Sequence, residues 1–222
     1  MKRRKRVKDA IGIWIKEVRR RKRLKADAVY HGMFRKSQYY AFERGEVNVD
    51  MIKLETIFQR LGKRFPQNGI IIGHRTFEKV NIRYKIVEMI NKGMLEELSV
   101  YINQLKPDVN DIIMMQYYEY ALIVASCREM SCELIKKDLL STLHRTKKEN
   151  EKIENQCFSE IESMILLKIT DVMKKNGNRE LGEQLKTQLV KNLKRIYLVE
   201  EYQRRFDFDE LNRLIYDENC VN

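Results

Sequence analysis

Hydrophobic positions recur three and four residues apart along most of the chain, the spacing that marks one face of an α-helix. The pattern opens with four short pieces. Ile11, Ile15 and Val18 fall on one face of a first helix, with Arg19 beside them. A link ending at Leu24 leads to a second piece at about 25–31, which turns Ala28 and Val29 inward. Gly32 interrupts. A third piece, from about 35 to 44, carries Tyr39 and Phe42 at i, i+3. Gly45 then supplies the left-handed position that ends a helix. Asn48 or Asp50 caps a fourth helix bearing Ile52, Leu54, Ile57, Phe58 and Leu61.

Pro66, Gly69 and Gly73 mark 66–74 as a connection, and its Ile70, Ile71 and Ile72 imply packing against a neighbour. Beyond it the period is longer and more regular. Phe77, Val80, Tyr84 and Val87 form one stripe, and Leu95, Leu98, Ile102 and Leu105 the next. After Pro107, helices are expected at about 110–126 and 131–143, followed by a Lys/Glu-rich connection at 145–154. Phe158, Ile161, Ile165, Ile169 and Val172 form a stripe that Gly177 stops, and Asn178 caps a successor striped by Leu181, Leu185, Leu189 and Leu193. A last helix is expected over 200–214. Helix pairs joined by short turns suggest an α-solenoid, in which each pair buries its faces against its neighbours, with an ordinary bundle as the alternative.

Composition agrees with an all-α fold: of 222 residues only 2 are Pro and 9 Gly, with 43% hydrophobic and 34% charged. Charge divides the chain. Residues 1–65 carry 20 Lys/Arg against 7 Asp/Glu, more than the whole formal charge of +12, so the remainder is nearly balanced. We therefore expect a polyanion-binding domain over 1–65, a linker over 66–74 and a second domain over 75–222. No apolar run reaches the roughly 18 residues of a membrane span, and a cytoplasmic protein without membrane contact is expected. Cys127, Cys132, Cys157 and Cys220 form no C-x-x-C pair, and His31, His74 and His144 are scattered, which argues against zinc or a disulfide framework. G-x-x-x-x-G-K-S/T, H-E-x-x-H and G-x-S-x-G are all missing, so neither an enzyme nor a cofactor is expected. Nor do the aromatic-rich sheet motifs of RNA-binding domains occur.

Ile15, Val18, Arg19 and Leu24, then S-Q-Y-Y-A-F-E-R-G (Ser37 to Gly45), then Leu54, Ile57 and R-L-G (Arg60 to Gly62) resemble the phage-repressor-like, xenobiotic-response-element helix-turn-helix domain. The resemblance implies a lambda-repressor-like fold that binds double-stranded DNA. It places Lys36, Ser37, Tyr40 and Ala41 against base edges and Arg35 and Gln38 at phosphates, with Lys25 and Arg44 as further contacts. Lys36 suits guanine O6/N7, and Ala41 a thymine methyl. Tyr40 reads equally well as a solvated aromatic beside Tyr39. Glu43 is paired by the family pattern with Arg19, a structural role. Most members start helix two with Thr-Gln; Lys25 and Ala26 stand there, so a common phosphate contact is replaced by the charge of Lys25 or Arg35. The basic head, Lys2 to Lys8, reads either as an arm reaching DNA or as a solvated tail.

Farther on, R-L-G-K-R-F (Arg60 to Phe65) with F-E-K-V (Phe77 to Val80), then D-L-L-S and F-S-E-I-E-S-M-I-L-L-K-I (Asp138 to Ser141, Phe158 to Ile169), resemble the Rgg/PlcR-type peptide-regulated transcription factors. That resemblance implies tetratricopeptide-like repeats, a homodimer and a concave groove for a short signalling peptide. With two to three helix pairs the groove is expected to be shortened. Asn155, Gln156 and Asn192 are candidate peptide contacts by residue type only. The alternative is a constitutive dimeric repressor or antitoxin-like module whose helices only dimerise.

Overall fold

A computed structural model describes residues 8–63, 74–197 and 206–216, all helices and connections with no strand among them. α1 (Lys8–Arg21), α2 (Ala26–Tyr30), α3 (Lys36–Glu43) and α4 (Met51–Arg60) form the first unit. α5 (His74–Asn91), α6 (Leu95–Gln104), α7 (Ile112–Ser126), α8 (Cys132–His144), α9 (Glu160–Lys175), α10 (Arg179–Tyr197) and α11 (Asp209–Tyr216) follow, with a 3₁₀ turn at Ile153–Asn155 before α9. The architecture is all-α: four short helices followed by longer helices that pack on their neighbours in the chain.

Local chemistry sets the helix ends. The Asp50 carboxylate accepts from the Lys53 N–H at 3.0 Å, Asp111 from Met114 at 3.2 Å and the Ser131 hydroxyl from Leu134 at 3.3 Å, each satisfying a donor that a helix leaves free in its first turn. Glu162, in the first turn of α9, accepts from the Ser159 N–H at 2.7 Å. Gly45 and Gly177 close α3 and α9 with φ of 73° and 82°.

Four expectations need correction. Ile11 lies exposed, and the inner face of α1 is Ile15 and Val18. Trp14, just outside that face, stacks on Phe58 with ring centroids 5.2 Å apart. Phe77 and Tyr84 of α5 are exposed as well, while Arg83, Ile86 and Val87 are buried. The face turned inward contains an arginine, which hydropathy counts as outward. Arg83 is accommodated because both its Nη atoms donate to Glu55 of α4, at 2.7 and 2.8 Å. Leu181 is exposed too; α10 packs on α9 through Leu189 and Leu193, and Gly182 lies against the backbone of Thr170. Finally, the last helix begins at Asp209, not near 200. Residues 206–208 are non-helical: the Asn212 side chain brackets Phe206, accepting from its N–H at 2.7 Å and donating to its carbonyl at 2.8 Å. The expected linker apart from His74, with its three isoleucines, and the basic head before Lys8 lie outside the described residues.

α5 packs against α6 and α7, α7 also against α6, α8 and α9, and α9 against α8 and α10. The side of α7 that bears Tyr117 and Tyr120 is covered by Phe208, whose ring lies 6.5 and 6.4 Å from theirs. α11 packs onto α9 and α10. Phe208 and α11 therefore lie against α7, α9 and α10.

The two units are joined through a buried charged cluster. Arg60, the last residue of α4 and fully buried, donates from Nη1 to the carbonyls of Val29 (2.7 Å) and His31 (3.0 Å), the end of α2. Its Nε reaches Glu162 Oε2 at 3.2 Å, and its Nη2 reaches Glu162 Oε1 and the Thr146 carbonyl. Thr146 Oγ1 donates to Glu162 at 2.5 Å and accepts from Gln116 Nε2 at 2.8 Å. Lys147 completes the cluster, 3.2 Å from Glu162 and donating to the Cys157 carbonyl. Gly32 makes this junction possible. It sits at φ 76°, and a Cβ there would fall 2.3 Å from Thr146 Cα, so the turn between α2 and α3 rests directly on the connection after α8.

Candidate nucleic-acid interface

α3 is a short helix with two chemically different sides. Tyr39, Phe42 and Glu43 are buried; Arg35, Lys36, Ser37 and Gln38 are exposed. Tyr39 is the hub of the inner side, its ring centroid 4.9 Å from Tyr30, 6.1 Å from Phe34 and 6.3 Å from Phe42. Burial and the neighbouring Glu43 carboxylate push the Tyr39 hydroxyl well above the usual tyrosine range, so it stays neutral.

Two contacts with α1 fix how far α3 stands out. Arg19 Nε donates to Glu43 Oε1 at 2.7 Å and Nη2 to Oε2 at 3.0 Å, while Nη1 donates to the Leu24 carbonyl at 3.0 Å. One guanidinium thus ties the end of α3 to both α1 and the link into α2, and the bonds to Glu43 raise its already high pKa further. The pairing of Glu43 with Arg19 is as the sequence led us to expect. The second contact was not legible: Gly12 lies so close to α3 that a Cβ there would stand 1.8 Å from the Phe42 carbonyl oxygen.

The first turn of α3 presents a polar, cationic edge. Arg35 is the N-cap and supplies no side-chain cap, so the N–H groups of the first turn face outward with the positive end of the helix dipole. Arg35, Lys36, Ser37 and Gln38 surround that end. Tyr40 and Ala41 are half-buried on the flank, Tyr40 meeting Tyr39 edge-on at 6.1 Å. Lys25 stands exposed as the N-cap of α2. Arg44 is exposed beyond the end of α3, where Glu46 accepts from its Nε at 2.6 Å and its Nη2 at 2.7 Å. Arg35, Lys36, Ser37 and Gln38 are thus contiguous, Lys25 lies one helix away, and Arg44 already holds a carboxylate. Of the three side chains proposed by type as peptide contacts, Gln156 and Asn192 are buried and bonded to backbone carbonyls, and Asn155 is exposed in the 3₁₀ turn.

Among the described residues there is no cluster of His, Cys, Asp or Glu that could hold a metal ion, and no helix long and apolar enough to cross a membrane.

No protein-family model matches this chain, and no curated protein matches it. A solved structure that is similar to it is the crystal structure of Bacillus thuringiensis PlcR in complex with the peptide PapR7 and DNA, at 18% identity and a TM-score of 0.45. The similarity covers 82% of this chain and 64% of that one, so the chain spans less than two thirds of that protein's length.

Proposed function

We propose that the protein is a sequence-specific DNA-binding transcriptional regulator that inserts α3 into the major groove of double-stranded DNA. The observation that carries this is the exposed turn Arg35–Gln38 on a helix braced from behind by Arg19, Glu43 and Gly12. A groove about 12 Å wide admits one helix, and reading bases needs that helix proud of its neighbours and held still. Lys36, Ser37, Tyr40 and Ala41 take base edges in this reading, and Arg35, Gln38, Lys25 and Arg44 take phosphates. Arg44 exchanges Glu46 for the DNA backbone, an exchange made easy by the exposure of both side chains. The protein acts as a cytoplasmic homodimer without cofactor, and its helical second unit responds to a short signalling peptide.

A second reading is favoured by one specific observation. Phe208 packs on α7 and α11 on α9 and α10, which leaves less helix surface free for a peptide, and this suits a constitutive DNA binder with no effector. Fluorescence anisotropy on a labelled operator separates the two: a culture-derived peptide that shifts the affinity supports peptide control, and indifference to all such peptides supports the constitutive form.

The DNA reading is tested by selecting bound sites from random duplexes and then measuring variants on the selected site. Lys36→Ala and Ser37→Ala should each lose about 1–3 kcal/mol of discrimination at particular base pairs. Arg35→Ala should weaken all sequences alike and reduce the salt slope by about 0.9. Unchanged base preference in both α3 variants would remove α3 as the reading element.

A further inference from the structure

α7 is apolar on every side. Of its 15 residues only Gln116, Glu119 and Ser126 are polar, and Gln116 is buried. A helix of this kind is ordinarily buried all round. One side of α7 meets the core through Ile113, Tyr117, Tyr120 and Val124. The helical period places Ile112, Met115, Tyr118, Leu122 and Ala125 on the other side. Leu122 is 40% exposed there, and the other four are half-buried. Glu119, the one acid in this stripe, is neutralised from the edge by Arg145, whose Nε donates to it at 2.7 Å.

The charges at the two ends of α7 indicate what covers the stripe. The connection before the helix carries Lys106 and Asp108, and the turn after it Arg128 and Glu129. All four are exposed, one of each sign at each end. Arg128 holds no carboxylate among the described residues. Such a pattern is complementary to itself. About a two-fold axis between Tyr118 and Glu119, a second α7 runs antiparallel to the first, and residues equally far from the axis meet. Met115 then lies on Leu122 of the second copy and Ile112 on its Ala125. Arg128 comes beside Asp108 of the second copy, and Lys106 within reach of its Glu129. The two helix dipoles oppose as well. The first unit is poorly suited to such a contact, because its 20 Lys/Arg against 7 Asp/Glu repel a second copy, whereas the rest of the chain is nearly balanced.

We propose that two copies of this chain associate through the outer stripe of α7, as an antiparallel pair of these helices. The inference rests on the homodimer of the DNA-binding reading and assigns its contact surface. Each copy brings one α3, whose four exposed residues reach only a few base pairs, and the pair reads an inverted repeat. One helix face with its flanking turns lies at the small end of specific interfaces, below about 800 Å² per partner, so association is reversible at micromolar concentration.

Self-association is measured on the full chain without DNA, by analytical ultracentrifugation from about 1 to 200 µM. The parent should show a monomer–dimer equilibrium within this range. Met115→Glu and Leu122→Glu, each burying a charge in the pair, should weaken it at least about tenfold at an unchanged melting temperature. Leu181→Glu, at an exposed leucine of α10, should leave it as in the parent. Arg128→Glu should weaken it about threefold to fivefold, and adding Asp108→Arg in the same chain should restore it, since the swapped charges again face each other. That rescue distinguishes a specific antiparallel pair from general stickiness of an apolar face. A parent that stays monomeric at about 200 µM, a dimer indifferent to both α7 variants, or equal weakening by Leu181→Glu overturns the proposal. None of these results depends on DNA, so each leaves the role of α3 to the site-selection experiment above.

Discussion

Glu162→Gln should destabilise the folded protein by about 3–5 kcal/mol, a large share of the 5–15 kcal/mol typical of a whole domain. The side chain keeps its size and loses only its charge. Left behind are Arg60, fully buried, and Lys147, only 4% exposed, both facing a neutral amide with no other carboxylate bonded to them among the described residues. Glu162 itself is buried, which alone would raise its pKa, yet Arg60 and Lys147 hold it down at about 2. Lys147 is pressed the other way, to about 8, by burial and then by Arg60. An unfolded glutamate titrates near about 4.3. As pH falls from about 5 to 2 the unfolded chain takes up that proton first, so the stabilisation from ionised Glu162, full above pH 5, is lost through this window. A gap of roughly two units corresponds to about 3 kcal/mol, in agreement with the mutational figure. Urea denaturation at pH 7 should show the lower midpoint at an unchanged slope, and the variant's stability should fall less steeply in acid than the parent's. The triple variant Arg60→Met, Lys147→Met, Glu162→Leu should recover part of the loss, because a buried ion cluster replaced entirely by apolar groups no longer strands a charge. A parent and a Glu162→Gln variant of equal stability at pH 7 would show that the cluster does not hold the two units together.

How much of this was readable in the sequence depends on where the deciding partner lies. Helices whose partners are local came through: α2, α3 and α4, their glycine stop and the Asp50 cap rest on spacing and neighbouring residues. The Glu43–Arg19 pair came through because a family pattern places both residues. The faces of α1, α5 and α10 came through only in part. Arg83 turns inward because Glu55, 28 residues away, neutralises it, and no window of hydropathy contains both. Arg60 was visible only as part of a motif. That it binds Glu162 across 102 residues, and that Lys147 in a Lys/Glu-rich connection is buried rather than solvated, follows from tertiary packing alone. The exposed turn Arg35–Gln38 was legible because an amphipathic helix shows its polar side.

Gly12→Ala should separate the fold of the DNA-binding unit from its function. The added methyl carbon would stand 1.8 Å from the Phe42 carbonyl oxygen and 2.8 Å from its carbon. Both are backbone atoms, so no side chain can rotate aside, and α3 must retreat from α1 by more than 1 Å. Overpacking of this kind costs about 1–3 kcal/mol, which a protein of this size should survive. The retreat, however, pulls the Arg19–Glu43 bonds out of reach and re-aims Arg35, Lys36, Ser37 and Gln38, whose base contacts depend on tenths of an ångström. Affinity for the selected operator should therefore drop at least about tenfold, the loss of one bidentate base contact, while salt-dependent binding to unrelated duplex stays nearly constant. Gly182→Ala provides the control. Its Cβ would meet the Thr170 carbonyl oxygen at 2.9 Å in the packing of α9 against α10, away from α3. It should lower the melting temperature without changing base preference. If Gly12→Ala bound the operator as tightly as the parent, α3 could not be held for base reading by its contact with α1, and the geometry on which the DNA-binding proposal stands would be wrong.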